Sequence, residues 1–492
     1  MAMLYSTRGN RESISAPEAV LRGIARDGGL YILKEAPQIP IGEVRGMNFV
    51  SLSKRILSAW LPGYTEEEID ACVTRAYRDK FDAPDIVPIR HVGNKYVLEL
   101  FHGPTAAFKD VALSVLPQLM RCAMDKRGGN EKIMILTATS GDTGSAALTG
   151  FRDVPGVGIL VFYPKVGISP IQRIQMTAAL GQNVCACAID GNFDDAQTGV
   201  KRIFADIDPA FCTSHHLSLS SANSINIGRL APQIVYYYSA YLALVEAGAL
   251  RMGDPLDFCV PTGNFGDILA GYLAKRSGLP VGRLVCASNA NNVLTDFINT
   301  GVYNRKRDFL RTISPSMDIL VSSNLERLLY LASGCDSELV HTMMADLKSE
   351  GIYHAPDALM SAIRADFDCG CANDAQTMAA IKDVFSETHY LMDPHTAVAW
   401  KVAEDIASKH RSTAPMVVLS TASPYKFPQS VLTALGADAS GSVTAQFERM
   451  EKMSNTSAPR ALANALARTE RFKDVVSVDN MMAYVMERAA EL

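Results

Sequence analysis

Short runs of β-branched and apolar residues alternate with helical segments from about residue 95 onward, and this alternation leaves few possible folds. The predicted strands are KYVLEL, KIMILTAT, VGILVFYP, NVCACAID, LDFCVPT, GRLVCASN and APMVVLST. Strands that alternate with helices favour a parallel, doubly wound α/β architecture. Such sheets bind ligands at the carboxyl ends of their strands, so the loops that follow these runs are the candidate functional segments.

The length of the chain predicts several structural units. At 492 residues it exceeds what one compact core usually organises, which favours two or three domains or lobes. The first 85 or so residues are predicted to be mainly helical after a short extended start, and Thr65 with Glu68 forms a predicted capping box. The long, mostly helical pattern over residues 301–389 predicts an insertion in one lobe.

The composition excludes several classes of protein. With 48% hydrophobic residues, 20% charged residues and a net charge of -5, the chain is typical of a globular protein whose main partner is not nucleic acid. Neither a secretory signal nor a membrane span is predicted. The ten cysteines follow no disulfide or zinc spacing, and even Cys369 and Cys371 lack companion ligands, so we expect a cytoplasmic protein without a metal site.

The segment FHGPTAAFKD, from Phe101 to Asp110, places Lys109 among Gly, Pro, Thr and Phe residues. An amine among apolar neighbours is desolvated, loses proton affinity and becomes a nucleophile that can form a Schiff base with a carbonyl cofactor such as pyridoxal phosphate. The alternative is an ordinary lysine on a helix face, because AFKDVALSVLPQLM has helical spacing of apolar residues.

Two loops combine features of anion binding. In TATSGDTGSAALTGF, hydroxyls and exposed amides gather at a predicted helix start, although a simple N-cap with a tight turn explains the same pattern. The residues concerned are Thr139, Ser140, Gly141 and Thr143. In PTGNFGDILAGYLAKR, two glycines permit close backbone approach and their neighbours supply amides, which predicts a cradle for a cofactor phosphate. This cradle comprises Gly263, Asn264, Phe265, Gly266 and Asp267.

Two further segments carry candidate polar contacts. The run VVLSTASPYKFP ends a predicted strand at Ser420 and Thr421, where a neutral hydroxyl suits a pyridine nitrogen, although a strand-terminating turn is the alternative. SLSSANSINIGRLAPQ clusters polar residues before Arg229, whose guanidinium suits a substrate phosphate. The alternative for Arg229 is an ion pair with a helix carboxylate.

Several motifs in order resemble threonine synthase, the longer-chain branch of that pyridoxal-phosphate family: YSTRG, DGGLY, FHGPTAAFKD, TSGDTGSAA, SANSINIGR, TGNFGD, SPSMDILVSSNLERLL, DPHTAVAW and STASPYKFP. The resemblance implies a tryptophan-synthase-β-like fold, fold type II, with two α/β lobes around pyridoxal 5'-phosphate (PLP). It also implies conversion of the phosphorylated amino acid O-phospho-L-homoserine, with water, to L-threonine and phosphate.

The resemblance and the residue pattern together predict three units. Residues 1–90 form a mainly helical N-terminal subdomain, and residues 130–230 form a smaller, mobile α/β lobe. Residues 91–129 and 231–492 form the large PLP-binding lobe, with its helical insertion near 301–389.

The resemblance also assigns roles to residues. It makes Lys109 the Schiff-base residue, flanked by Phe108, and places Asp142 near the phenolic oxygen of PLP and Thr421 at its pyridine nitrogen. It places the cofactor phosphate on Gly263, Asn264, Phe265, Gly266 and Asp267. Substrate carboxylate or phosphate contacts fall to Thr139, Ser140, Gly141 and Thr143, and the phosphate pocket is completed by Asn223, Ser224 and Arg229.

Two positions depart from the pattern. Many relatives in the wider fold carry Asn where Asp142 stands, and an aspartate donates a hydrogen bond only when protonated. Many threonine synthases read TAHPAKF where this chain reads TASPYKF, so Ser423 replaces a histidine. The alternative functions are a PLP-dependent phospho-lyase, a threonine or serine dehydratase, and a cofactor-binding protein without turnover.

Overall fold

The computed structural model describes residues 2–409 and 414–491. Its strands are β1 Leu4–Ser6, β2 Gly9–Ile14, β3 Tyr31–Ile32, β4 Ile89–Val92, β5 Lys95–Glu99, β6 Lys132–Ala138, β7 Val157–Pro164, β8 Val184–Ile189, β9 Leu217–Ser220, β10 Leu256–Pro261, β11 Val281–Ser288, β12 Val302–Asn304, β13 Ile352–His354, β14 Phe367–Cys371, β15 Met416–Ser420 and β16 Val475–Val476.

Helices connect and cover these strands. They are α1 Ala16–Arg22, α2 Phe49–Trp60, α3 Glu66–Tyr77, α4 Lys109–Arg127, α5 Asp142–Phe151, α6 Pro170–Thr177, α7 Phe193–Asp206, α8 Pro209–Ser214, α9 Ile227–Leu230, α10 Ile234–Glu246, α11 Gly266–Arg276, α12 Val293–Thr300, α13 Leu325–Ala332, α14 Ser337–Ser349, α15 Asp357–Asp366, α16 Asp374–Thr388, α17 Pro394–Lys409, α18 Pro428–Ala434, α19 Val443–Ser454, α20 Arg460–Leu466 and α21 Met481–Ala490.

Two sheets form the centre of the fold. The larger has the order β14-β11-β10-β15-β5-β4 and is parallel except for the edge pair β4–β5, and the smaller is the parallel sheet β16-β8-β7-β6-β9. Every residue of β7 and of β10 is buried, as expected for strands covered by helices on both faces. The seven predicted runs contain β5, β6, β7, β8, β10, β15 and most of β11, so the α/β prediction is confirmed.

The N-terminal segment contributes helices α1 to α3 and the small sheet β2-β1-β3. The predicted capping box is confirmed at the start of α3. The Glu68 amide donates to Thr65 Oγ1 at 3.2 Å, and the Thr65 amide donates to Glu68 Oε2 at 2.8 Å. Buried side chains of these helices join those of α4 and α10 in one core.

Two short strands differ from the sequence-based expectation. The predicted helical insertion contains β14, which extends the large sheet beside β11, and near the end of the chain β16 pairs with β8 of the smaller sheet. Both strands are too short to show a periodic pattern, and pairing with an existing sheet edge defines them. No helix in the described part of the chain is long and apolar enough to cross a bilayer.

Candidate active site

The predicted functional loops meet because of the strand order. Strands β10, β15 and β5 are neighbours, so the loops after their carboxyl ends share one edge of the large sheet. The loops after β6 and β9 of the smaller sheet complete the same cavity. The predicted residues on its wall are Phe108, Lys109, Thr139, Ser140, Thr143, Asn223, Ser224, Arg229, Gly263, Asn264, Phe265, Gly266, Asp267 and Thr421.

Two predicted residues, Gly141 and Asp142, lie behind this wall. Gly141 has φ 142°, and a Cβ there would lie 2.5 Å from the side chain of Gln172. Only glycine fits, because both the backbone angle and the space exclude a side chain. Asp142 is buried at the start of α5 and faces Lys109.

Lys109 is the first residue of α4, and its side chain is only 12% exposed. The Phe108 amide donates to the carbonyl oxygen of Thr421 at 2.8 Å, which ties this helix start to the end of β15. Lys109 Nζ lies 3.8 Å from Asp142 Oδ2 and 4.7 Å from the centre of the Phe108 ring. Burial lowers the pKa of Lys109 to about 8, although the Asp142 charge opposes this. About a tenth of the amine is therefore in the neutral, nucleophilic form at pH 7, far more than for an ordinary lysine.

Asp142 is surrounded by donors. Its Oδ1 accepts from Gln172 Nε2 at 2.8 Å and lies 2.7 Å from the Nζ of Lys426, and its Oδ2 accepts from Ser316 Oγ at 3.3 Å. Burial opposes ionisation of this carboxyl, but the charges of Lys426 and Lys109 outweigh burial and hold its pKa well below the usual range. Asp142 is therefore an ionised acceptor in this structure.

The loop from Gly263 to Asp267 wraps around the start of α11. Phe265 adopts the left-handed conformation with φ 63°, and a Cβ on Gly263 would lie 2.8 Å from the carbonyl oxygen of Ser316. This turn leaves the first amides of α11 at the cavity wall, where amides and the helix dipole favour an anion. The assignment of this turn to the cofactor phosphate stays a prediction.

Asp267 lies in this cradle with an unusual set of partners. Its Oδ1 accepts from the hydroxyls of Tyr236 and Tyr237 at 2.5 and 3.1 Å, whereas its Oδ2 is buried without a partner among the described residues. Burial raises the pKa of Asp267 to about 6, and the two tyrosines oppose this rise.

A second anion-binding feature lies on another wall of the cavity. Arg229 is 2% exposed, and its Nη1 donates to the carbonyl oxygen of Ala222 at 2.5 Å. Its Nε and the nearby Asn223 Oδ1 have no partner among the described residues. Burial lowers the pKa of Arg229 to about 10, and no carboxylate in the described part of the chain forms an ion pair with it. The surface ion pair considered as the alternative for Arg229 is wrong.

The loop after β6 serves partly as its own cap. Thr139 Oγ1 accepts from the amides of Gly141 and Gly144 at 2.9 and 3.0 Å, as in the simple turn considered above. Ser140 and Thr143 remain partly exposed on the cavity wall. Ser423 is buried and accepts from the Tyr425 amide at 3.4 Å, so it caps the short helix that contains Lys426.

Sequence reasoning missed several residues of the cavity. His395 Nδ1 donates to Asp393 Oδ2 at 2.6 Å, and its Nε2 accepts from the Ser316 amide at 3.1 Å, so both ring nitrogens have partners that fix the orientation of the ring. The motifs SPSMD, with Ser316, and DPHTAVAW, with His395, are present in the sequence, but neither contains a local pattern that predicts a role in chemistry. Helix α7 adds three more residues at i, i+4 and i+8, which share one helix face: Phe193, Gln197 and Lys201.

Comparisons with known proteins identify the family. Three protein-family models match the chain: "Pyridoxal-phosphate dependent enzyme" over residues 90–422, "Threonine synthase N terminus" over residues 3–77, and "Threonine synthase, C-terminal" over residues 396–485. Threonine synthase of Pseudomonas aeruginosa is 38% identical over 95% of this chain and 97% of its own length. The chain belongs to the threonine synthase family.

Solved structures of threonine synthases share its fold. PLP-bound threonine synthase from Brucella melitensis is 39% identical with a TM-score of 0.88, covering 99% of this chain and 100% of its own. The yeast enzyme is 32% identical with the same TM-score, covering 100% of this chain and 99% of its own. Human threonine synthase-like 1 is 41% identical over 85% of this chain, which spans only 58% of that protein's length. The predicted fold type II architecture and the predicted cofactor, PLP, are thus confirmed.

The cavity of this threonine synthase family member fits PLP. Lys109 offers an amine of lowered pKa for the aldehyde carbon, and the Gly263–Asp267 turn lines the cavity at the start of α11, with Gly263 packed too closely against the Ser316 carbonyl oxygen for a side chain. Thr421 lies on the same wall, at the end of the strand that Phe108 contacts. These groups come from three neighbouring strand ends, so one flat, phosphorylated ring can reach all of them.

Proposed function

We propose that this protein is a threonine synthase that converts O-phospho-L-homoserine and water to L-threonine and phosphate in threonine biosynthesis. The observation that carries the proposal is the presence of two separate anion-binding features in one cavity. The cradle at Gly263 to Asp267 suits the cofactor phosphate, and Arg229 with Asn223 suits a second one. A dehydratase of plain hydroxy amino acids needs no second phosphate site.

Lys109 carries out the proton transfers in the proposed mechanism. PLP, when bound, supplies the electron sink for charge that develops at the substrate α-carbon. With the substrate amine in place of Lys109 on the cofactor, the free Lys109 amine would take the α-proton, release it, and then take a proton from the β-carbon, which suits a lysine whose pKa is lowered to about 8. Phosphate would leave from the γ-carbon, which takes up a proton to become the methyl group. The oxygen of water would add at the β-carbon, its proton would pass to the released phosphate, and the α-carbon would regain a proton.

The remaining predicted residues bind and orient in this proposal. Thr139, Ser140, Gly141 and Thr143 hold the substrate carboxylate at the start of α5, and Thr421 meets the pyridine nitrogen. Arg229 with Asn223 and Ser224 holds the leaving phosphate, which fixes the direction of the breaking bond. Asp142 lies beside the bound cofactor as a neutralised pair with Lys426 rather than as a donor.

We propose that the lobe of residues 130–230 closes over the bound substrate and excludes water until phosphate has left. The same proposal includes the other two predicted units, the N-terminal subdomain of residues 1–90 and the large lobe of residues 91–129 and 231–492. The exception is β16, which pairs with β8 of the smaller sheet. We place the reaction in the cytoplasm, because all ten cysteines are unpaired, as a reducing compartment requires.

The proposal is tested by incubating the purified PLP-loaded protein with O-phospho-L-homoserine and identifying the products. We expect threonine and phosphate in equal amounts. 2-Oxobutanoate as the main product would favour the phospho-lyase, and turnover of threonine or serine alone would favour the dehydratase. Lys109→Ala should abolish turnover and the absorption band of lysine-bound PLP. The control is Lys126→Ala, at the far end of the same helix, where the side chain pairs with Glu68.

A further inference from the structure

Lys426 is a fully buried lysine to which the proposed reaction gives no task. Its side chain has 0% exposure, its Nζ lies 2.7 Å from Asp142 Oδ1, and it donates to the carbonyl oxygen of Thr105 at 2.9 Å. Burying an ammonium is costly unless a partner compensates it. A threonine synthase that buries this charge beside its reactive lysine therefore needs a reason to keep it.

The surroundings of Asp142 supply that reason. The carboxylate lies between two ammonium groups, Lys426 on Oδ1 and Lys109 on Oδ2, and also accepts from Gln172 and Ser316. An unpaired carboxylate here would attract a proton to Lys109 and repel the phenolic oxygen of PLP. The pair formed by Asp142 and Lys426 has no net charge, and the Oδ2 of Asp142 remains a fixed acceptor.

We propose that Lys426 is a positioning residue: it neutralises Asp142 and fixes its Oδ2 toward Lys109, so that the two buried side chains act as one neutral group beside the reactive amine. The inference rests on the proposed role of Lys109 and extends it to a residue 317 positions away in the sequence. The pairing with Lys426 also explains how the charged Asp142 can occupy a position where many relatives in the wider fold carry an uncharged Asn.

The proposal predicts opposite effects for the two partners. The charged groups that act on the Lys109 amine are Asp142, Lys426, Arg229 and Asp267. Lys426→Met removes a like charge and leaves Asp142 unbalanced, so the Lys109 amine should hold its proton more tightly. Asp142→Asn removes the attracting charge, so the amine should lose its proton more readily. The double variant should resemble the wild type, because the pair has no net charge.

The test uses cofactor-free protein, so that it does not depend on turnover. Lys109 acetylation by acetic anhydride is followed by mass spectrometry across pH. We expect the midpoint to rise by about one pH unit in Lys426→Met, to fall by a similar amount in Asp142→Asn, and to return in the double variant. In urea unfolding, the double variant should lose less stability than the sum of the losses in the two single variants.

A matched control separates positioning from packing. Lys95 is another buried lysine, 7% exposed and 3.8 Å from Glu404, and it lies at the start of β5, whereas Lys109 follows the carboxyl end of that strand. Lys95→Met should lower stability without moving the Lys109 midpoint. Unchanged midpoints in both single variants, a double variant whose midpoint stays as far from the wild type as that of a single variant, or unfolding free energies that merely add would overturn the proposal. Absence of threonine as a product would instead refute the proposed function and leave this coupling measurable.

With substrate, the kcat of the double variant should be at least tenfold higher than that of Lys426→Met. A kcat in the double variant no higher than in either single variant would contradict the action of the two residues as one unit. Lys426→Arg should keep part of the wild-type kcat, because its guanidinium retains the charge although not the shape.

Discussion

Arg229 should make the unliganded protein less stable while making it a better enzyme. A guanidinium gains little from burial unless its donors are satisfied, and the Arg229 Nε has no partner among the described residues. Its pKa is lowered to about 10 by burial. Because each pKa unit corresponds to about 1.4 kcal/mol, keeping this group charged costs the folded state about 3 kcal/mol at every pH below about 10.

Arg229→Met should therefore stabilise the protein in the absence of ligands. The variant also loses the hydrogen bond from Nη1 to the Ala222 carbonyl oxygen, and this loss reduces the gain in stability by about 1–2 kcal/mol. We expect a net increase of about 1–2 kcal/mol in the free energy of unfolding, seen as a higher urea midpoint. With O-phosphohomoserine, kcat/KM should fall between about 30-fold and several-thousand-fold, because a buried charged contact to phosphate is worth about 2–5 kcal/mol.

Arg327 provides the matched control. It is also fully buried, but its guanidinium donates to the carbonyl oxygens of Tyr31 and Ile225 and to Asn324 Oδ1. Burial also lowers the pKa of Arg327, to about 9, so Arg327→Met likewise removes a costly buried charge, but it leaves three acceptors unpaired at about 1–3 kcal/mol each and should therefore gain less stability than Arg229→Met. A less stable Arg229→Met variant, or one with unchanged kcat/KM, would refute the reasoning.

Two further predictions follow from the same cavity. Asp267→Asn should stabilise the cofactor-free protein by about 3 kcal/mol at pH 8 and by nothing below about pH 4, because burial raises the pKa of Asp267 to about 6 and the cost of its charge accumulates between about pH 4 and that value and is complete above it; equal midpoints at pH 8 in urea unfolding would contradict this. Lys201→Ala should raise the KM for O-phosphohomoserine about two- to fivefold with a smaller change in kcat, because its exposed ammonium lines the cavity from α7 as a further cation for the phosphate. The control is Arg202→Ala, whose side chain pairs with Asp206 and Asp479, and an equal change in KM for both variants would exclude a specific role for Lys201.

Local patterns predicted the parts of the fold that depend on local chemistry. Strands β7 and β10 are continuous apolar runs because both of their faces are covered, and this leaves a clear signal in the sequence. The loops after β6 and β10 were predictable because glycine, serine and threonine mark tight turns and helix starts. The Thr65–Glu68 capping box was predictable for the same reason.

Residues whose role depends on distant partners were missed. Lys426 lies in TASPYKF, where nothing nearby reveals that its charge is buried against Asp142 at the start of α5. His395 and Ser316 meet across 79 positions of the chain, and their contact exists only once β10 and β15 are neighbours. The Asp142 contact with the phenolic oxygen was predicted from the family pattern, and only the packing shows that the carboxyl is held ionised.

The origin of the oxygen atoms in the products tests the central claim most directly. The purified enzyme is incubated with O-phospho-L-homoserine in water enriched in ¹⁸O, and both products are analysed by mass spectrometry. Elimination at the γ-carbon followed by addition of water at the β-carbon predicts one ¹⁸O in the hydroxyl of threonine and none in the released phosphate. Homoserine together with ¹⁸O-labelled phosphate would show hydrolysis at phosphorus and contradict the account.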